Sequence, residues 1–237
     1  MDNELSLVEH LNELRKRIII CLFALGGATL LSLPFASQLL KILKLPARGA
    51  IDRLVFFSPE EAFLIYMRIS ILCAFTISIP VILYQLWGFC SPAMEARLRK
   101  HSGFFIISCS ISFIAGAIFA YFILLPPALK FLLGFAKEDL EPLISAGKYI
   151  SFITGIIFAS GLVFQMPVLS FILAKLGVIN SRTLRRKYKY AIVIIFIVAA
   201  VITPTPDAFN MSLLALPMLC LYEISIWITH FAKPKVV

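Results

Sequence analysis

The sequence predicts an all-α, polytopic membrane protein of six spans, with both termini on the same side of the bilayer. Three observations carry this. Of 237 residues, 60% are hydrophobic and only 15% charged, with a mean hydropathy of +0.95. Average soluble domains hold about 45–50% apolar and about 25% charged residues, and one soluble core of this size cannot hide the surplus. The apolar residues fall in runs long enough for a helix to cross about 30 Å of hydrocarbon. Finally, the formal charge of +9 is unevenly shared between the loops. Composition thereby excludes a soluble enzyme, a disordered chain and a coiled coil.

The chain opens with an amphipathic segment. Ser6 and Glu9 have capping-box spacing. Leu7, Leu11, Leu14 and Ile18 then share one helical stripe, with Glu9, Glu13 and Lys16 opposite. Residues 1–17 are therefore expected to hold a cytoplasmic amphipathic helix lying on the membrane surface. The six spans fill residues 18–231 and a short cytoplasmic tail occupies 232–237, making one integral membrane domain over 1–237.

Span 1 runs from Ile18 to Phe35 and is stopped by Pro34. Span 2 covers Ile69–Phe89 and contains Pro80. Its helix is expected to begin earlier, at Ser58-Pro59-Glu60-Glu61, where Ser58 caps, Pro59 suits the first helical position and Glu61 completes a capping box. Span 3 covers Phe104–Leu125 and is stopped by Pro126-Pro127. Span 4 covers Tyr149–Ala174 and contains Pro167. Span 5, Ala191–Thr203, has only 13 residues, which requires a thinned bilayer or shielding by neighbours. Pro204-Thr205-Pro206-Asp207 turns the chain into span 6, Ala208–Phe231, which Pro217 is expected to break and which carries Glu223.

Loop charges orient these spans. Leaving aside Arg68 and Lys175 at the edges of spans 2 and 4, the N-terminus, the loops after spans 2 and 4 and the tail carry 13 Lys and Arg, against 7 in the loops after spans 1 and 3. By the positive-inside rule both termini are cytoplasmic. The basic excess is explained by topology, with no nucleic acid required. The two outer loops, Pro34–Arg68 and Pro126–Lys148, are long enough to hold structure of their own.

No catalytic constellation, metal site or cofactor motif appears. Cys21, Cys73, Cys90, Cys109 and Cys220 read as small buried hydrophobes. His10, His101 and His230 stand far apart in sequence at the cytoplasmic edge.

Three features remain. Glu9, Glu13 and Glu95 are carboxylates on an otherwise basic face, suited to bidentate hydrogen bonds with a partner's guanidinium groups. As ordinary surface chemistry, Glu13–Arg17 and Glu95–Arg99 are i,i+4 ion pairs. Tyr84, Trp87 and Phe89 form an aromatic belt at the end of span 2, where Gln85 and the small residues beyond could also line a recognition surface. In mid-membrane, Gln165 beside Pro167 needs a hydrogen-bond partner, and Glu223 must face protein or water, or be protonated. Gln165 and Glu223 leave open the alternative of a small-solute or ion transporter. The internal repeats or paired broken helices frequent in transporters are not evident.

Several stretches together resemble TatC, the multispanning subunit of the twin-arginine protein translocase. They are His10-Leu11-Asn12-Glu13-Leu14-Arg15-Lys16-Arg17, Ser58-Pro59-Glu60-Glu61-Ala62-Phe63, and Pro80 to Pro92 with its Tyr-Gln-x-Trp-x-Phe core. Phe119-Ala120-Tyr121-Phe122, Phe164-Gln165-Met166-Pro167-Val168 and Thr203-Pro204-Thr205-Pro206-Asp207 follow in the same order.

The resemblance implies a concave, cup-like bundle whose last two helices are short, located in the cytoplasmic (inner) membrane and without enzymatic activity. It implies a receptor for the twin-arginine signal peptides of folded proteins. It further implies TatA-like and TatB-like single-span partners, self-association and transport driven by the proton-motive force. By the resemblance Glu13, supported by Arg15 and Arg17, would receive the peptide, with Phe89 contributing and Gln165 available to a partner helix; Glu9 and Glu95 join them as the other carboxylates on the basic face, Glu95 from the same side as the missing second acid. Two positions depart from the family pattern. A second acid expected beyond Glu95 is replaced by Arg97 or Leu98, and the usual span-4 glutamate is Gln165, which cannot titrate.

Overall fold

The computed structural model describes residues 7–47, 54–90, 102–134, 143–175, 177–203 and 207–232. Helix α1 spans Leu7–Ser32, 26 residues without a break. The surface helix expected over residues 1–17 is not separate from span 1: from Leu7 onward the two are one rod. No proline or glycine stands between Leu7 and Leu25, so nothing interrupts the backbone ladder. At 1.5 Å per residue the rod is about 39 Å long, more than the hydrocarbon core.

Pro34 ends α1 as expected, in a 3₁₀ turn at Leu33–Phe35. A short helix, α2 (Ala36–Leu43), and a second 3₁₀ turn at Leu45–Ala47 follow. Two tyrosines satisfy carbonyls at the end of α2: Tyr121 donates to the Ile42 carbonyl at 2.7 Å and Tyr149 to that of Leu43 at 3.0 Å.

Helix α3 runs from Pro59 to Cys90, starting where the capping pattern places it and carrying Pro80 inside. Helix α4 (Ser102–Phe119) passes through a π-helical turn, Ala120–Leu124, into α5 (Leu125–Gly134). Pro126-Pro127 therefore does not stop the rod. The two prolines sit in the first turn of α5, and the π turn before them absorbs the change in hydrogen-bond register.

Span 4 does break. Helix α6 (Ala146–Val163) and α7 (Met166–Lys175) meet at Phe164-Gln165, just before Pro167. The basic loop after it contains α8 (Ser181–Arg186), with Asn180 capping by accepting from the Thr183 amide. Helix α9 (Tyr188–Ile202) has 15 residues, about 22 Å by helical rise, and is the short span. Helix α10 (Ala208–Phe231) has 24 residues, with Pro217 inside an unbroken helix. The last span is therefore of full length and intact, against the expectation of a short, broken one. Asp207 caps it by accepting from the Asn210 amide at 2.7 Å.

Among the described residues, five helical rods are long and apolar enough to cross a membrane, and α9 is a shorter apolar helix. Packing runs from α1 on α3, through α4 and α6, to α7 on α10 and α9 on α10. Ile69, Leu125, Ile150, Ile153, Ala199, Ala215 and Met218 lie in the core. Phe23, Leu31 and Val201 are as apolar yet exposed, which is what lipid rather than water outside requires. Cys109 is buried, but Cys220 is exposed, so not every cysteine is a core residue.

The two outer loops are joined. Strand β1 (Leu54–Val55) pairs in parallel with β2 (Ile144–Ser145), Leu54 opposite Ile144. Glu61 reinforces the pairing. Its Oε2 accepts from the Phe57 amide at 2.8 Å, while Oε1 accepts from the Gly147 amide at 2.7 Å and from the Ser145 hydroxyl. Gly147 must be small here, since a Cβ would stand 2.6 Å from Glu61 Oε1. Glu61→Ala is expected to speed hydrogen exchange at the Gly147 amide and leave the membrane helices folded. Unchanged protection of that amide would mean that the strand pair alone holds the loops.

Candidate functional site

Glu13 and Arg17 lie one turn apart on α1, so their side chains share a face. Arg17 donates from Nε to Glu13 Oε1 at 3.1 Å and from Nη2 to the same oxygen. The other arm of the guanidinium crosses to α3. Its Nη1 donates to the Gln85 carbonyl at 3.2 Å and to Gln85 Oε1 at 3.4 Å. One turn further along α3, Gly88 makes the space: a Cβ there would fall 2.0 Å from Arg17 Nη1. A single arginine thus holds Glu13 on one side and α3 on the other, and both groups are partly exposed.

Neighbouring aromatics fix this end of α3. Trp87 is buried against Phe105 of α4, ring centroids 4.6 Å apart. Phe89 is half-buried, whereas Tyr84 on α3 and Leu11 and Ile18 on α1 are exposed. Carboxylate, guanidinium and amide therefore sit on the same two helices as exposed apolar side chains.

Of the sequence-derived site residues, Glu13 and Arg17 come together. Arg15 is exposed and takes no part in the hydrogen bonds that join Glu13, Arg17 and Gln85. The Glu9 side chain and Glu95 lie outside the described residues. The role of Gly88 in making room for Arg17 escaped the sequence reading, although Gln85 and Gly88 at i,i+3 spacing on one helix face were available as a signal.

The second polar feature is Gln165, buried at the α6–α7 break. Its Nε2 donates to the carbonyls of Cys109 at 3.1 Å and Gly161 at 3.3 Å. Its Oε1 is buried and accepts no hydrogen bond among the described residues. Ser112 donates to the Phe164 carbonyl at 2.6 Å, so α4 satisfies groups that the break exposes. Glu223 is in a different setting. It pairs with Arg185 of α8 at 3.5 Å and is partly exposed. Gln165 and Glu223 thus have separate partners.

Residues 9–217 match the family model of the Sec-independent protein translocase protein TatC. The chain belongs to the TatC family. The TatC protein of Carboxydothermus hydrogenoformans is 39% identical over 234 residues, covering 99% of this chain and 96% of that protein. The TatC protein of Aquifex aeolicus is 40% identical, covering 98% and 97%. A crystal structure of the twin arginine translocase receptor TatC superposes with a TM-score of 0.85 at 39% identity, covering 94% of this chain and 99% of that one.

This TatC-family chain is a multi-pass membrane protein of a protein translocase, and its family is not enzymatic. The alternative of a small-solute or ion transporter using Gln165 and Glu223 finds no support in its relatives.

Proposed function

We propose that this chain is the receptor and core subunit of a twin-arginine translocase. It takes the twin-arginine signal peptide of a folded protein at the α1–α3 junction, on the cytoplasmic face of the inner membrane. The observation that carries the reading is the Glu13–Arg17–Gln85 cluster. It presents a carboxylate already oriented for a guanidinium, on helices that also carry exposed apolar side chains. A substrate's paired arginines need acceptors of this kind, and its apolar stretch needs a greasy surface beside them. Glu9 and Glu95 supply further acceptors, and Phe89 and Arg15 flank the peptide. Assembly with TatA-like and TatB-like single-span partners and with further copies of the chain, and export driven by the proton-motive force, complete the role.

The direct test is export of a folded twin-arginine substrate in cells lacking their own receptor subunit. Restored export is expected; none, from a chain that reaches the membrane, overturns the reading.

Gln165 is proposed to meet a partner helix. Gln165→Leu is expected to leave signal-peptide binding intact and impair partner assembly and export. The substitution removes a buried acceptor lacking a described partner, but also the Nε2 bonds to the Cys109 and Gly161 carbonyls, so stability should fall by about 1 kcal/mol. Unchanged export would assign Gln165 to helix packing alone.

The orientation is checked by labelling single cysteines placed at positions 97 and 137. They are expected on opposite sides of the membrane, position 97 cytoplasmic. Labelling of both from one side would overturn the proposed topology.

A further inference from the structure

We propose that the cleft between α8 and the end of α10 binds the phosphate-bearing headgroup of an anionic phospholipid. It has a volume of about 390 Å³. Arg182 and Arg185 contribute from α8, and Ile226, Trp227, His230 and Phe231 from α10. One wall is cationic and the other apolar, which is the chemistry of a lipid where its headgroup meets its chains.

The cations are positioned, not scattered. Arg182 and Arg185 are three residues apart on one short helix, so they share a face. That helix is docked on α10 by the Tyr222 hydroxyl, which donates to the Leu184 carbonyl at 2.9 Å. Arg182 has no ion pair among the described residues. Arg185 meets Glu223 only at 3.5 Å with its side chain 63% exposed, which leaves guanidinium donors facing outward. Trp227 and Phe231 are exposed at the end of a membrane-crossing helix, the depth at which aromatic rings meet headgroups.

A phospholipid engages both walls, whereas inorganic phosphate engages only the arginines. Anionic lipid surfaces attract each nearby cation appreciably, and two guanidiniums carried on one face of a docked helix add directed hydrogen bonds to phosphate oxygens. The inference rests on the membrane-spanning fold and is independent of the signal-peptide reading.

The test is native mass spectrometry of the full chain released from bilayers of phosphatidylcholine with a minor fraction of phosphatidylglycerol. Arg182→Gln is expected to lower phosphatidylglycerol retention about fivefold, and Arg182→Lys to restore much of it. Lys41→Gln, an exposed cation on α2, is expected to leave retention unchanged. An unaltered thermal transition of Arg182→Gln separates headgroup loss from unfolding. Equal retention by Arg182→Gln and the unaltered chain would overturn the proposal. So would displacement of phosphatidylglycerol by inorganic phosphate at equal concentration, which would make the cleft an anion site without lipid character.

Discussion

Replacing Glu13 by Gln is expected to weaken binding of a peptide carrying Arg-Arg by about fivefold, less than the full worth of a charge-assisted hydrogen bond because the incoming guanidinium exchanges with Arg17. Gln preserves the size of the side chain, so α1 and its packing on α3 are left alone. What disappears is the charge that Arg17 now holds in place through Nε and Nη2. Arg17 itself retains the Gln85 carbonyl as an acceptor, so the junction stays closed and the loss is one of recognition. A Lys-Lys peptide should also bind less well to the unaltered protein, since an ammonium cannot make the bidentate contact of a guanidinium. Photo-cross-linking or fluorescence anisotropy with labelled peptide reads both effects. Undiminished binding by Glu13→Gln would place the recognition site elsewhere.

The largest loss of stability is expected from Gly161→Ala. A Cβ at this position would lie 2.4 Å from the Phe113 ring. Phe113 cannot retreat easily, since it is fully buried and packs against Phe75 and Phe158. From the other helix, Gly116 approaches α6 as closely, a Cβ there falling 2.7 Å from the Ser160 carbonyl. Helices α4 and α6 would have to separate, and such overpacking costs about 1–3 kcal/mol. Gly155→Ala on the same helix is the control. Nothing lies within 4 Å of its Cβ position, and alanine favours a helix by about 1 kcal/mol over glycine. Thermal unfolding in detergent should therefore lower the transition for position 161 and hold or raise it for 155. Equal transitions would mean that α4 and α6 do not rely on this contact.

Hydropathy was a good guide to the spans because lipid rewards long apolar runs wherever their side chains point. It said less about helix ends. Pro34 and Pro167 coincide with breaks, but Pro80 and Pro217 lie inside helices and Pro126-Pro127 begins one. A proline removes a donor and crowds the carbonyl four residues back, and whether the chain then breaks depends on neighbours that local sequence does not name. The candidate site divides the same way. Glu13 and Arg17 are four residues apart, so their pairing was legible from spacing. Gln85 and Gly88 join them across 68 residues and more of chain, a contact that only the packing of α3 on α1 creates. Glu61 read as a helix cap, yet it also binds Ser145 and Gly147 of a loop 84 residues away.

Arg17 has a consequence for how any cationic ligand would arrive. Glu13 already holds a guanidinium, so an incoming arginine does not create an ion pair where none existed; it swaps one for another. The net gain is then a difference between two similar interactions, and the displaced Arg17 falls back on Gln85. Such an exchange releases few counterions, so affinity should depend on salt more weakly than the ligand's charge alone suggests. It also discriminates: a ligand that cannot match the geometry of the resident guanidinium has nothing to offer in return for displacing it.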